Sequence, residues 1–174
     1  MTELLSGPDA TTAAPFLADP RVQRAIQLVW HEATLLDAKE YEAWQDLYTD
    51  DALYVIPIER GTEDFADTLN MIYDDARMRR MRVNRMVEGY SLSAVDAART
   101  VRTVSRFTVT SVSDGEVRLR SAQVLVSFKR DEFVMLGAEL DHVVVLSPEG
   151  DRIGRKVIRL LNSDSTVNAS GYLL

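Results

Sequence analysis

The sequence predicts an α+β fold, with helices in the first half packed on one face of an antiparallel sheet built by the second. Three observations carry this prediction. Apolar residues recur at the helical period only before about residue 90, and β-branched residues dominate from Thr100 onward, broken by short turns. Several of the later segments are apolar on both faces, so the sheet must be covered from two sides. Helical segments followed by a run of strands is the α+β pattern.

Residues 1–18, rich in Thr, Ala, Pro and Gly without periodicity, are expected to form a flexible N-terminal arm, and residues 19–174 a single domain. The first helix starts at Asp19-Pro20. Asp19 caps it, and Pro20 stands at the first helical position, where its missing N–H costs nothing. Val22, Ile26, Val29, Ala33 and Leu36 then fall on one narrow face, which is assigned to the core. Tyr41, Trp44, Leu47 and Tyr48 continue the period in a second, short helix, and Leu53 to Pro57 reads as a brief strand stopped by Pro57.

Residues 59–71 are polar and read as a loop. The next helix, roughly 75–87, places Ile72, Ala76, Val83, Met86 and Val87 on one side, with Arg77, Arg82 and Arg85 opposite. Arg79 falls inside the apolar arc, so it must snorkel or meet a carboxylate, while Asp74 and Asp75 suit the positive end of the helix dipole. Four long strands follow, separated by turns at Ser113-Asp114-Gly115-Glu116, Arg130-Asp131 and Ser147-Pro148-Glu149-Gly150. Asp114-Gly115 is the strongest of the three, because a tight hairpin needs residues that tolerate positive φ. Val124 to Val126, Val143 to Leu146 and Val157 to Leu161 do not alternate cleanly, so the face away from the helices must close on a pocket or press against another chain.

Composition narrows function. A chain of 174 residues with 46% apolar residues can bury a continuous core without disulfides or structural metal. Its net charge of −7 argues against a nucleic-acid partner, which demands clustered Lys and Arg. No apolar run approaches the roughly 20 residues of a spanning helix, and Met1 to Ala14 lacks a signal-peptide pattern, so a cytoplasmic location without membrane contact is expected. The absence of cysteine removes thiolate nucleophiles, zinc-thiolate sites and iron–sulfur ligation, a Rieske centre included. Glycine-rich phosphate loops, serine nucleophile elbows and zinc-protease patterns are also missing.

Two histidines remain, His31 and His142. A two-His, one-carboxylate iron site would need both, with Glu32 or Asp141 as the carboxylate. Geometry opposes this, because His31 lies opposite the apolar face of its helix while His142 sits mid-strand among Leu136, Ala138, Leu140, Val144 and Leu146. A surface His31 and a hydrogen-bonded core His142 are expected instead. Trp44 and Tyr41 are read as core, and the methionines as adaptable packing.

Several short words recur in a characteristic order. Leu35-Leu36-Asp37 precedes Tyr41-Glu42-Ala43-Trp44, Asp51, Tyr54 and Pro57; then come Ile72-Tyr73-Asp74-Asp75 and Arg82-Val83-Asn84-Arg85-Met86; Arg155-Lys156-Val157 and Asn168-Ala169-Ser170 close the series. Together they resemble the small (β) subunit of bacterial aromatic-ring-hydroxylating dioxygenases. The segment Arg99-Thr100-Val101-Arg102-Thr103-Val104-Ser105-Arg106 resembles that family's strand entry but places Arg106 where Asn usually stands.

The resemblance implies a curved-sheet cone of the kind shared with nuclear transport factor 2 and SnoaL-like proteins. It also implies a homotrimer beneath three large (α) subunits, in an α3β3 assembly. The large subunit would carry the Rieske (2Fe-2S) cluster and mononuclear iron and add both atoms of O₂ to an aromatic ring in hydrocarbon catabolism. This chain would hold no cofactor or metal and would serve as a scaffold, with Arg82, Arg85, Arg102 and Arg106 as candidates for the partner interface. Solvated, salt-bridged arginines are the alternative for the strand-entry segment. A competing reading makes the chain a stand-alone isomerase, dehydratase or cyclase with His142 as general base at the floor of the cone, assisted by Tyr54, Asp51 or Asp37. A binding protein using the same pocket is the third.

Overall fold

The computed structural model describes residues 17–88, 98–163 and 173–174. Helix α1 (Pro20–Ala38) begins as expected, with the Asp19 side chain accepting from the Arg21 N–H, and ends at Lys39 in the left-handed conformation, whose N–H reaches the carbonyls of Leu35 and Leu36. Val22, Ala25 and Val29 are fully buried and Leu36 nearly so. Helix α2 (Tyr41–Asp46) is a turn and a half that seats Trp44, and strand β1 (Tyr48–Pro57) follows directly.

Strand β2 (Asn70–Asp74) was not expected. Ile72 and Tyr73 pair with Ile56 and Val55 of β1, so Ile72 belongs to the sheet rather than to the apolar side of the next helix. Helix α3 (Ala76–Val87) starts later, with Asp75 accepting from the Met78 N–H as its cap. The Tyr-Asp-Asp word thus spans a strand end and a cap. Strands β3 (Arg99–Val112), β4 (Glu116–Lys129), β5 (Glu132–Val145) and β6 (Arg152–Leu160) form the predicted meander, turning at the three predicted places.

Among the described residues the sheet has six strands in the order β2-β1-β6-β5-β4-β3. One pair departs from the antiparallel expectation: β1 and β6 run parallel. Parallel neighbours need a long crossover, and everything between β1 and β6 supplies it. Register slips in β3 between Ser105 and Thr108 and again between Val109 and Ser111, and such bulges bend a strand, which suits a curved sheet. Arg106 sits in the first bulge at φ 56°.

Helix α1 packs mainly across β3, and Trp30 ties the two by donating its Nε1–H to the Val104 carbonyl at 3.1 Å. The inner face of the sheet, under the helices, contributes Val104, Leu119, Leu125, Leu140 and Ile158 to one core with α1. The outer face is covered only in part. Phe65, in the loop between β1 and β2, closes over Val55 and Val157 as a second small core. Arg159 pins that loop by donating to the carbonyls of Arg60 and Thr62 at 2.6 and 2.8 Å and to Glu63 at 2.8 Å.

Candidate functional site: a buried polar cluster and an open outer face

Glu32 is the centre of the buried polar chemistry. It lies one helical turn beyond Leu28 and one before Leu36, which turns it toward the core, and it is 1% exposed. Its Oε1 accepts from Tyr48 Oη at 2.7 Å, Trp44 Nε1 at 3.0 Å and Lys156 Nζ at 3.0 Å. Its Oε2 faces His142 Nε2 at 3.4 Å. Four groups from α2, β1, β5 and β6 therefore converge on one carboxylate from α1.

The electrostatics follow from this geometry. Burial pushes the Glu32 carboxyl upward, but the Lys156 ammonium, His142 and the Tyr48 hydroxyl outweigh it and hold the group well below the usual carboxylate range. Burial drives His142 and Lys156 downward, against the pull of Glu32 in each case. Burial also raises the Tyr48 and Tyr54 hydroxyls, and Glu32 adds to the effect. Burial favours the neutral form of His142, whose Nε2 faces Glu32, and its Nδ1 has no hydrogen-bond partner among the described residues.

The cluster is sealed. Tyr54 Oη donates at 2.6 Å and Lys156 Nζ at 3.2 Å to the main-chain oxygen of Leu174, and Arg102 donates to the Leu173 carbonyl. Trp44 packs edge-on to Tyr48 and Tyr54 at 5.0 and 5.5 Å, contacts that contribute about 0.5–1.5 kcal/mol each beyond burial. A general base must come within hydrogen-bond reach of a substrate proton. The side chains of His142, Glu32 and Lys156 are at most 2% exposed, too little surface from which to do so.

The other residues singled out in the sequence are dispersed. Asp51 is exposed and accepts from Thr49, and Asp37 binds Thr100 and Arg102, so neither assists His142; Tyr54 shares the cluster but spends its hydroxyl on Leu174. His31 is exposed on α1. Arg82 is half-buried and holds Asp74 with two hydrogen bonds, of 2.6 and 3.0 Å. Arg102, expected on the surface, has a fully buried side chain that grips Asp37. Arg85 and Arg106 are exposed, and Arg106 meets Glu139 at 3.1 Å. Arg79 neither snorkels nor finds a carboxylate. Its guanidinium lies 4.7 Å above the Tyr48 ring and donates to the carbonyls of Ala52 and Thr49.

The outer face divides into two halves. One is apolar and open, with Val101 at 66%, Phe133 at 75% and Met135 at 71% exposed, and a shallow cavity of about 370 Å³ between Val101, Val126, Phe128 and Phe133. The other is a mosaic of arginines and carboxylates around a trough of about 590 Å³ that includes Arg60, Arg106, Arg120, Glu139 and Arg159.

Residues 31–166 match the family described as "Ring hydroxylating beta subunit". The chain is a member of that family. The small oxygenase component of the p-cumate 2,3-dioxygenase system of Pseudomonas putida is 31% identical over 129 residues, which cover 73% of this chain and 70% of that one. The solved β subunit of benzoate 1,2-dioxygenase from Burkholderia mallei superposes with a TM-score of 0.71 at 20% identity, covering 89% of this chain and 97% of that one. The NTF2-like class is evident in a protein with a cystatin-like fold from Novosphingobium aromaticivorans, which has a TM-score of 0.60 at 16% identity and covers 88% and 91%.

As a dioxygenase β subunit, the chain is a component of an oxidoreductase. Its own residues do not fit the redox groups of such a system: a Rieske cluster needs two cysteines, and there are none. A two-His iron site fits no better, since His31 is exposed on α1 while His142 is buried against Glu32. Sequence reasoning recognised His142 as a core residue but missed its partners. The signal for Glu32 was its angular position between Leu28 and Leu36. For Lys156 it was the inward-facing middle position of the Arg155-Lys156-Val157 word. No helix among the described residues is long and apolar enough to cross a membrane.

Proposed function

We propose that this β subunit acts as a scaffold for a large, iron-bearing subunit in a cytoplasmic α3β3 ring-hydroxylating dioxygenase, and performs no chemistry of its own. Family membership carries the reading. Support comes from the sealed Glu32 cluster, which offers a substrate no entry, and from the apolar half of the outer face, where Val101, Phe133 and Met135 are left exposed side by side. The Rieske cluster and mononuclear iron belong to the large subunit in this scheme. The scaffold fixes neighbouring large subunits so that the cluster of one stands near the iron of the next. Arg85 and Arg106 are the exposed members of the proposed interface set; Arg82 and Arg102 act from within, by holding Asp74 and Asp37. An aromatic compound is the substrate class of the assembly, because the p-cumate, benzoate and naphthalene systems are all named for one.

Co-expression of the chain with a candidate large subunit tests the proposal. Stable co-purification in equal amounts, and oxygen-dependent ring hydroxylation only by the pair, is the expected result. A chain that remains apart from the large subunit, or turns over an aromatic substrate alone, would contradict it.

A further inference from the structure

The word Arg155-Lys156-Val157 places three side chains in three environments. Lys156 turns inward to Glu32, and Val157 turns outward beneath Phe65 in the second core. Arg155 also turns outward, with Val143 beside it on β5 and Arg118 beyond that on β4. Its neighbours on this face are all paired. Arg118 Nε meets Glu116 at 2.6 Å, and Arg120 and Arg159 take one oxygen each of Asp141 at 3.0 Å. Arg155 has no ion pair among the described residues, and its Nε is buried without a hydrogen-bond partner. A half-buried guanidinium left in that state carries a desolvation cost that nothing among the described residues offsets.

Arg155 lines a cavity of about 220 Å³ with Arg118, Arg120 and Asp141. This cavity shares Arg120, Asp141 and Glu63 with the larger trough beside it. Around the two together, with the Glu116 partner of Arg118 counted, stand six arginines against four carboxylates, a local excess of positive charge in a chain whose net charge is −7. We infer that the Arg155 notch receives a carboxylate side chain of the large subunit, with Arg155 and Arg118 as its donors. The inference rests on the scaffold reading above and names one contact within it. A protein carboxylate suits the site better than a free metabolite. The notch is open and shares its wall with the neighbouring trough, and the apolar half of the same face also calls for a protein to cover it. Arginine is enriched at such interfaces because its planar fork binds carboxylates with two hydrogen bonds.

The test uses the complex with the large subunit and the Arg155→Gln, Arg155→Lys and Arg118→Glu chains. Affinity for the large subunit is measured by sedimentation at low and high salt, alongside the melting temperature of each isolated chain. Arg155→Gln is expected to bind about tenfold or more weakly, the loss of one charge-assisted hydrogen bond, with a shallower salt dependence and an unchanged or higher melting temperature. Arg155→Lys should recover part of the affinity. Arg118→Glu, on the exposed wall, should weaken assembly even if Arg155 variants fold poorly. Wild-type affinity in all three variants would overturn the inference and leave the scaffold reading intact, whereas a wild-type chain that never binds the large subunit contradicts both. Glutarate added to the isolated chain distinguishes the other source of carboxylate. A saturable rise in melting temperature that Arg155→Gln abolishes, with assembly unaffected, would assign the notch to a small anion and overturn the docking role.

Discussion

Lys156 Nζ donates to Glu32 Oε1 at 3.0 Å, and neither side chain is more than 2% exposed. The pair joins helix α1 to the last strand of the described sheet, with Tyr48, Trp44 and His142 completing the shell. Breaking a buried pair by removing one partner is costly because the other charge stays behind uncompensated. Lys156→Met is therefore expected to destabilise the chain by about 3–5 kcal/mol, read from urea unfolding. The double variant Glu32→Gln with Lys156→Met should recover a measurable part of that loss, since it removes both charges. A double variant no better than Lys156→Met alone would show that the pair is not the source of the cost.

Acid should loosen the fold in two stages. His142 is held below its ordinary value of 6.5, chiefly by burial, so as pH falls below 6.5 the unfolded chain binds the proton first and stability declines. Glu32 is held well below its ordinary 4.5, so its contribution is present above that value and is lost as pH falls further through the folded-state value. Both slopes have the same sign. His142→Gln should flatten the stability profile between pH 6.5 and 5 while the steeper loss below 4.5 remains, as chemical unfolding across that range will report. An unchanged profile would remove His142 from the acid response.

Arg106 occupies the first bulge of β3 with φ 56°, a conformation that costs an ordinary residue about 1–2 kcal/mol and that Asn and Gly tolerate. This gives a physical reason for Asn at the corresponding position in the family pattern. Its ion pair with Glu139 is exposed and replaces little of that cost. Arg106→Asn or Arg106→Gly should raise stability by about 1 kcal/mol, measurable as a higher melting temperature. A fall in melting temperature would mean that the Glu139 contact outweighs the backbone strain.

Phe133 and Met135 are mostly exposed on the outer face, and Phe133 packs on the Phe128 ring at 4.7 Å. Replacing both with Ser should cost the isolated chain about 0.5–1.5 kcal/mol at Phe133 and no more than about 0.5 kcal/mol at Met135, yet weaken self-association and binding to the large subunit. Light scattering on the isolated chain and on the pair will separate the two effects. Full assembly by the double variant would place the interface elsewhere.

Local signals explain most of what was legible in the sequence. The Asp19-Pro20 start of α1, the apolar stripe through Leu36 and the three turns of the β3–β6 meander depend on neighbours within one or two turns of chain, so periodicity and turn chemistry reveal them. Strand β2 escaped because it is short, follows a polar loop and exists by pairing with β1. In β3 the expected polarity is inverted: Val101 faces out at 66% exposure while Arg102 is buried at 8%. Asp37, 65 residues earlier in sequence, and the Leu173 carbonyl explain that choice: Asp37 accepts from the Arg102 N–H at 2.8 Å and binds its guanidinium, which also donates to Leu173. The Glu32 cluster has the same character, for its members come from five separate elements. The words Asn168-Ala169-Ser170 lie outside the described residues, as does most of the N-terminal arm.

The most direct measurement is the turnover number per iron of the complex assembled with the His142→Gln chain. A supporting subunit whose histidine is sealed behind Glu32 and Lys156 predicts turnover within about twofold of wild type at equal complex stability, well under the hundredfold or larger loss usual for a removed acid–base group. A loss of that size in an intact complex would place His142 in the chemistry and contradict the account.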